Sequence, residues 1–347
     1  MNKLLFNFIG FTAAVLMFSS CKETPETPPL LTGTDYQNGV YVINEGGFGN
    51  GNASLSYIHS DGDTLVNQLY DSKTDLPLGD VGQSMNAFGG KGYIVVNNSA
   101  KIEVVDLADF SSVGTINDLG SPRFIEFVSE TKAYVTDLFA GVIHIVNPTT
   151  MAKTGGIPVN GWVEEMRTLN GFVYAVGNGS GNLYKINPAS DLIVDSVMVG
   201  TEPYSLEIDA NEKIWCLASG GWQAAIPNLV RIDPTTMTVE ADLAFNTVDE
   251  SPSDLSVSMD GQTLYFLNNG AFSMGISATS IPTSAMISAG MNYFYKMDVD
   301  PSTGDIYVSD PVDFSQNGKV YKHNSSGTLV RTYDMSVAPG GYHFVSM

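Results

Sequence analysis

The stretch KGYIVVNNS (residues 91–99) decides the fold, because seven versions of it occur along the chain. Each version is a short apolar run that contains one aromatic residue and leads into small polar residues. The aromatic residues are Tyr41, Tyr93, Tyr134, Tyr174, Trp215, Tyr265 and Tyr307, which are 52, 41, 40, 41, 50 and 42 residues apart. This period is typical of the four-stranded blades of a β-propeller.

Other short strands surround each aromatic run. A strand, a turn and another strand follow most copies, and the turn often contains Asn-Pro or Asp-Pro, which favours a tight hairpin. A further β-rich run precedes six copies: QSMNAF (83–88), RFIEFV (123–128), VEEMRTL (163–169), YSLEIDA (204–210), SDLSVSM (253–259) and NYFYKMDV (292–299). Each repeat therefore has four strands. The part of the chain that follows the leader contains no capped amphipathic pattern of helical length, which argues against βαβ folds.

The two ends of the repeat array complement each other. The array begins with the second strand of a unit, at residues 40–44, and finishes with GGYHFVSM (340–347), which matches a first strand. One blade built from both ends would close the ring without an open edge. The sequence thus predicts an all-β, seven-bladed propeller with four-stranded blades over residues 38–347. An open β-solenoid and a string of sandwiches are the alternatives.

The N-terminal segment is predicted to be a leader. Residues 1–20 carry Lys3, an apolar run and two serines, followed by Cys21, which is typical of a lipoprotein signal peptide with lipidation at Cys21. An ordinary cleaved signal beside an incidental cysteine is the alternative. Residues 21–37 are polar and proline-rich, and we expect them to form a flexible tether.

Charge and cysteine content exclude some functions. The 37 acidic residues against 16 Lys and Arg argue against a nucleic-acid partner, because phosphate binding needs a basic surface. Cys216 is the only cysteine besides Cys21, so it has no partner for an internal disulfide, and we expect it to be a buried core thiol.

The candidate binding residues come from loops that a propeller brings to one end. These are the loops that enter each first strand and the loops between each second and third strand. Aromatic and amide side chains are frequent there, and they suit a large, partly apolar ligand with amide or hydroxyl groups. The candidate ligand-binding residues are Asn44, Phe48, Asn98, Phe139, Trp162, Asn178, Tyr204, Trp222, Asn269, Phe272, Tyr293, Phe314 and Tyr342.

Catalytic signals are weak, and we expect no catalytic residues. Three of the four histidines (His59, His144 and His323) fall on third strands, away from this end, and only His343 lies near it. No nucleophile elbow, phosphate loop or zinc spacing occurs. Calcium or a sugar-cleaving carboxylate pair remains an alternative, because several carboxylates reach the same end: Asp80, Glu45, Asp137, Glu164, Glu165 and Asp310.

Four segments carry a family resemblance: NEGGFGNGNASLSYI (44–58), LGDVGQSMNAFGGKGYIVVNNS (78–99), SPRFIEFVSETKAYVTD (121–137) and TEPYSLEIDANEKIW (201–215). The chain resembles the YncE-like propeller lipoproteins of Bacteroidetes, in particular the surface cobalamin-binding BtuG proteins. The likeness extends along essentially the whole chain that follows the predicted signal peptide.

The resemblance implies a role and a place. A lipid-anchored, surface-exposed protein of the outer membrane would capture cobalamin or a related corrinoid and pass it to a TonB-dependent transporter. It implies no cofactor beyond the transported ligand and no enzymatic activity. A propeller that binds a glycan or a protein partner is the alternative, and a propeller hydrolase or lyase is a third reading.

Overall fold

The computed structural model describes residues 36–346. The predicted signal peptide and Cys21 lie outside the described residues, as does the tether up to residue 35. At the end of the predicted tether, Tyr36 is buried, and its carbonyl oxygen accepts a hydrogen bond from the Tyr41 hydroxyl at 2.5 Å. Packing of the propeller therefore includes Tyr36, two residues before the predicted boundary.

Seven antiparallel four-stranded sheets make up the described part of the chain, which confirms the predicted fold. The first blade contains β1 (Asn38–Asn44), β2 (Ser54–His59) and β3 (Leu65–Val66). Blade 2 contains β4 (Gly82–Phe88), β5 (Lys91–Val96), β6 (Lys101–Asp106) and β7 (Ser112–Ile116). Blade 3 contains β8 (Pro122–Ser129), β9 (Lys132–Asp137), β10 (Val142–Asn147) and β11 (Ala152–Pro158).

The remaining blades repeat this order. Blade 4 contains β12 (Met166–Leu169), β13 (Phe172–Gly177), β14 (Asn182–Asn187) and β15 (Leu192–Met198). Blade 5 contains β16 (Pro203–Ile208), β17 (Ile214–Ala218), β18 (Asn228–Asp233) and β19 (Thr238–Ala244). Blade 6 contains β20 (Ser253–Val257), β21 (Thr263–Leu267), β22 (Gly270–Gly275) and β23 (Ile287–Ser288). Blade 7 contains β24 (Met297–Val299), β25 (Ile306–Asp310), β26 (Asn317–His323) and β27 (Leu329–Val337).

The last strand closes the ring as predicted. β28 (Pro339–Ser346) pairs antiparallel with β1, in a register that sets Tyr41 opposite His343 and Val42 opposite Tyr342. β28 thereby becomes the first strand of blade 1, in the order β28-β1-β2-β3. The innermost strands are then β4, β8, β12, β16, β20, β24 and β28, and we call the space that they surround the axial channel.

The repeated aromatic residues fasten each blade to its neighbour. All seven are buried. The Tyr134 hydroxyl of blade 3 donates to Asp191 of blade 4 at 2.5 Å, and the Tyr174 hydroxyl of blade 4 donates to the Pro234 carbonyl of blade 5 at 3.1 Å. An aromatic ring at this position fills the space between two sheets, and its polar tip finds a partner there. This packing explains why the sequence repeats an aromatic residue once per blade.

Helical structure is minor in residues 36–346. The short helix α1 (Leu69–Thr74) lies between β3 and β4, and a 3-10 turn spans Asn97–Ser99. No helix in this range is long and apolar enough to cross a membrane. Two predicted first strands start later than expected, since β12 begins at Met166 and β24 at Met297, and the preceding residues belong to loops. Cys216 is buried, as predicted.

Removal of β28 should abolish the ring. A chain that ends at Ala338 leaves the backbone edge of β1 unpaired and opens the channel. We therefore expect that this chain no longer unfolds in a single cooperative thermal transition, which circular dichroism measures. A chain that begins at Tyr36 and keeps β28 is the control, and we expect it to unfold like the full chain. An unchanged transition in the chain without β28 would contradict the closure.

Candidate functional site

Two sets of loops meet at one end of the ring, which we call the loop-bearing end. One set enters the first strands, and the other joins the second and third strands of each blade. The longest of the latter are residues 45–53 in blade 1 and 219–227 in blade 5. Hairpin turns within the blades, such as 89–90 and 130–131, lie at the opposite end. The loop-bearing end therefore carries most of the irregular structure of the ring.

Five of the predicted aromatic residues project from this end, and we call them the rim aromatics. They are Phe48 (81% exposed), Phe139 (78%), Trp222 (90%), Tyr293 (57%) and Phe314 (40%). They come from blades 1, 3, 5 and 7, so they are distributed around the ring. Side chains this exposed add little to folding stability, because they bury little apolar surface.

Blades 7 and 1 build a part of the rim in which aromatic side chains pack against each other. The rings of Tyr293 and Phe314 have centroids 6.1 Å apart, and Tyr295 meets Phe314 edge-on at 4.9 Å. The Tyr295 hydroxyl donates to the Glu45 carboxylate at 2.9 Å. A Cβ atom at Gly340 would lie 2.3 Å from Glu45 Oε1, so glycine is required there. These contacts hold the aromatic group in place before any ligand binds.

Other predicted residues are not available at the surface. Asn44 is buried, and its amide donates to Ser56 Oγ at 2.9 Å. Phe272 lies within β22 and stacks on Phe266, with centroids 5.5 Å apart. The loop there spans only residues 268–269, which is why Phe272 belongs to the strand. Asn178 is buried, and the Tyr342 hydroxyl is buried within β28.

The remaining predicted residues are exposed or half-buried. Asn98 and Asn269 are exposed amides, and Asn98 donates to Asp80 Oδ2 at 2.6 Å. Trp162 is half-buried, and its indole N–H is buried without a hydrogen-bond partner. Tyr204 is half-buried, and its hydroxyl accepts a hydrogen bond from Lys296 Nζ at 2.6 Å.

Asp137 and His144 hold the Phe139 loop. The buried Asp137 carboxylate accepts hydrogen bonds from the backbone N–H groups of Phe139 and Ala140, at 2.9 and 2.8 Å, and its Oδ2 lies 3.1 Å from His144 Nε2. Burial opposes ionisation, but these hydrogen bonds outweigh it and lower the pKa of Asp137. His144 lies on the third strand, as predicted, yet it reaches the base of a rim loop. The expectation that it lies well away from this end is therefore wrong.

The floor of the loop-bearing end is charged, and its cations were not among the residues predicted from the sequence. Arg123 forms two hydrogen bonds with Glu164, at 3.0 and 3.1 Å, and also binds Gln83. Lys296 pairs with Asp254 at 3.1 Å. The partners lie on the innermost strands of neighbouring blades or in the loops that enter those strands, and they are 40 to 42 residues apart in sequence. That separation, close to the repeat period, is the signal that would have identified them.

A second charged group lies deeper in the axial channel. Arg167 contacts Glu207 at 2.7 Å and Glu165 at 3.6 Å. Burial raises the pKa of Glu165 to about 8, with a smaller contribution in the same direction from the Glu207 carboxylate, although Arg167 opposes the shift. Burial also raises the pKa of Asp298 to about 7, although a hydrogen bond from Ser256 opposes it. These channel carboxyls therefore retain protons near neutral pH.

The predicted carboxylates do not form a metal site in the described chain. Glu164 is paired with Arg123, and Asp310 caps its own loop by accepting from the Val312 N–H at 2.8 Å. Within residues 36–346, no three His, Cys, Asp or Glu side chains are grouped so that they could hold a metal ion.

The raised carboxyl pKa values predict how stability depends on pH. Between about pH 4 and 8 the folded chain holds protons that the unfolded chain releases, so these groups lower the free energy of unfolding as pH rises. We expect the double variant Glu165→Gln/Asp298→Asn to lose less stability than the wild type between pH 5.5 and 8. The difference should be about 1 to 3 kcal/mol, because a tenfold change in proton affinity is worth roughly 1.4 kcal/mol and channel water screens part of it.

Urea unfolding at the two pH values measures this difference. Glu130→Gln, a change in the exposed turn after β8, is the control and should follow the wild type. Parallel pH profiles for the double variant and the wild type would contradict the prediction.

Comparison with known proteins agrees with the fold. No curated protein matches the chain. Among solved structures, it is similar to a quinonprotein alcohol dehydrogenase-like protein of Bacteroides thetaiotaomicron, with 12% identity, a TM-score of 0.69 and coverage of 89% of this chain and 78% of the other. It is also similar to a protein from Lactobacillus plantarum, with 13% identity, a TM-score of 0.68 and coverage of 89% and 99%.

A third similar structure is streptogramin B lyase, with 14% identity, a TM-score of 0.57 and coverage of 75% and 86%. At such low identity these likenesses show the fold alone. The family model described as "Domain of unknown function (DUF5074)" matches residues 38–347, and the chain therefore belongs to that family.

Proposed function

We propose that this chain is a surface lipoprotein that binds cobalamin or a related corrinoid at its loop-bearing end and passes it to a TonB-dependent transporter of the outer membrane. The observation that carries the proposal is the set of rim aromatics, five large side chains that project from one end of the ring. Exposed large apolar side chains that share one end of a ring, two of them in contact with each other, favour a binding surface there.

The geometry favours a large ligand over a small one. The rim aromatics come from four of the seven blades, so a ligand that touches several of them has to extend across the end of the ring. The Tyr293, Tyr295 and Phe314 group is fixed by its own contacts and by Glu45, so it loses little conformational entropy on binding. A rigid aromatic platform of this kind suits a broad, flat ligand.

Corrinoid chemistry matches the polar groups between the aromatics. A corrinoid is a large ring edged with acetamide and propionamide groups, which need both hydrogen-bond donors and acceptors. The exposed amides of Asn98 and Asn269 are available at this end. Aromatic faces would cover the apolar parts of the ring while these groups meet its amides.

The location of the protein in the cell and the delivery of the ligand to a transporter are inferred from the sequence. The resemblance to surface cobalamin-binding lipoproteins, together with the leader that ends at Cys21, supports an outer-membrane protein anchored by lipid and exposed at the cell surface. Capture and delivery require no covalent step, so we propose a binding protein rather than an enzyme. No nucleic acid is expected as a partner.

Truncation of rim aromatics should weaken binding of cyanocobalamin to a soluble chain that begins at residue 36. We expect Trp222→Ala and Phe314→Ala each to lower the affinity about 3- to 10-fold, because an aromatic contact is worth roughly 0.5 to 1.5 kcal/mol beyond the area that it buries. Titration calorimetry measures the effect, and visible absorbance of the eluted protein reports bound corrinoid.

Met259→Ala is the matched control. Met259 is as exposed as the rim aromatics but lies in the turn between β20 and β21, at the opposite end, so the affinity should not change. Equal losses of affinity in Met259→Ala and in the rim variants would contradict the proposal that the ligand binds at the loop-bearing end. Absence of any cyanocobalamin binding by the wild type would overturn the corrinoid assignment, and the rim would then be tested with glycans and protein partners.

A further inference from the structure

The axial channel contains a cavity of 390 Å³, which is within the size range of small-molecule sites. Its lining begins near the loop-bearing end with Tyr204 and Lys296 and extends to Pro301, in the turn after β24 at the opposite end. All seven innermost strands contribute to it. The cavity is thus elongated along the axis and is distinct from the rim.

The channel contains more carboxyl groups than cations. Arg167 is paired with Glu207, and Lys296 is paired with Asp254. Three more carboxyls line the cavity: Glu126 and Asp298 form no ion pair with a described residue, and Glu165 shares Arg167 with Glu207. Glu126 accepts from Thr168 Oγ1 at 2.7 Å, Asp298 accepts from Ser256 Oγ at 2.7 Å, and Glu165 lies at the longer distance of 3.6 Å from Arg167.

A buried histidine nitrogen supplies an independent sign of a missing partner. His343 lines the same cavity, and its Nε2 atom is buried without a hydrogen-bond partner. Burial lowers the pKa of His343 to about 4, so the ring is neutral near pH 7 and Nε2 is able to accept a hydrogen bond. A buried polar atom without a partner is costly and is often satisfied by a ligand or water.

Apolar side chains alternate with these acceptors along the wall. Met85, Met166 and Met297 are buried side chains of the lining, and Phe124 and Phe344 also contact the cavity. The wall therefore offers carboxyl groups, which ionise beside a positive charge, and apolar surface to the methylene groups between two such charges. A single compact ion would use only part of this surface.

We propose that the axial channel binds a linear aliphatic amine that carries two or more ammonium groups. Each ammonium has three N–H donors and a positive charge, which match the carboxyls without cations and His343 Nε2. The methylene segments would pack against the methionine and phenylalanine side chains. This site lies on the axis and does not depend on what the rim binds.

Binding should release protons near neutral pH. An ammonium group beside a carboxyl favours its ionised form, so Glu165 and Asp298 lose protons when the amine binds, and affinity rises with pH as they ionise. The titratable and charged groups that face this space from the packed strands are Glu126, Glu165, Arg167, Tyr204, Glu207, Asp254, Lys296, Asp298, Tyr342 and His343. Arg167 and Lys296 stay charged throughout this range.

Calorimetric titration of the chain from residue 36 with spermidine tests the proposal, at about 0.15 M salt to screen the surface charge. We expect saturable one-to-one binding, with a heat that differs between buffers of different ionisation enthalpy. Glu165→Gln/Asp298→Asn should weaken it at least about 10-fold and reduce the proton release. The changes are nearly isosteric, and circular dichroism verifies the fold.

The controls separate the channel from surface electrostatics and from the rim. Glu130→Gln removes an exposed carboxylate and should leave spermidine affinity unchanged. Absence of saturable binding by the wild type, or an equal loss with Glu130→Gln, would overturn the proposal. Glu165→Gln/Asp298→Asn should bind cyanocobalamin with the affinity of the wild type. Failure of the amine proposal and failure of the corrinoid proposal are therefore distinguishable.

Discussion

The pairing of β28 with β1 is the interaction on which the rest of the structure depends. It joins the two ends of the array, so every blade has neighbours on both faces and no innermost strand is left beside a gap. It also surrounds one axial channel with seven strands and collects their loops at one end. Both candidate sites follow from this closure, because neither the rim nor the channel exists in an open array.

The closed ring places charged side chains in a narrow space, and most of them are held by partners on the next blade. Arg167 with Glu207 connects two innermost strands, and Arg123 with Glu164 and Lys296 with Asp254 each connect an innermost strand to a loop that enters the neighbouring one. Buried charges are costly unless they are paired, so these contacts also restrict how the blades are rotated against each other. The carboxyls that remain without a cation carry the raised pKa values and give the channel its affinity for positive charge.

The sequence was sufficient to predict the fold because the aromatic residue recurs at a fixed structural position. Packing between two blades requires a large ring there, so Tyr134 and Tyr174 are visible as a period. The exposed aromatics were also predictable as a group, because loop position alone assigns them to one end. Phe48 and Trp222 were found in this way.

Which loop residues point outward could not be predicted. Phe272 and Phe48 look alike in sequence, but a two-residue turn places Phe272 in a strand, while the longer loop releases Phe48. The charged channel was missed for a related reason. In the sequence, Arg167 and Asp298 look like ordinary polar positions of alternating strands. Only closure of the ring places them beside charged residues of other blades in the axial channel.

The crystal structure of the chain from residue 36 with cyanocobalamin tests the central claim most directly, because it reports both the ligand and the face. The account predicts a corrin ring across the loop-bearing end, in contact with the Tyr293 and Phe314 group and with Trp222. Cobalamin bound at the opposite end, or crystals that remain colourless at saturating ligand, would contradict it.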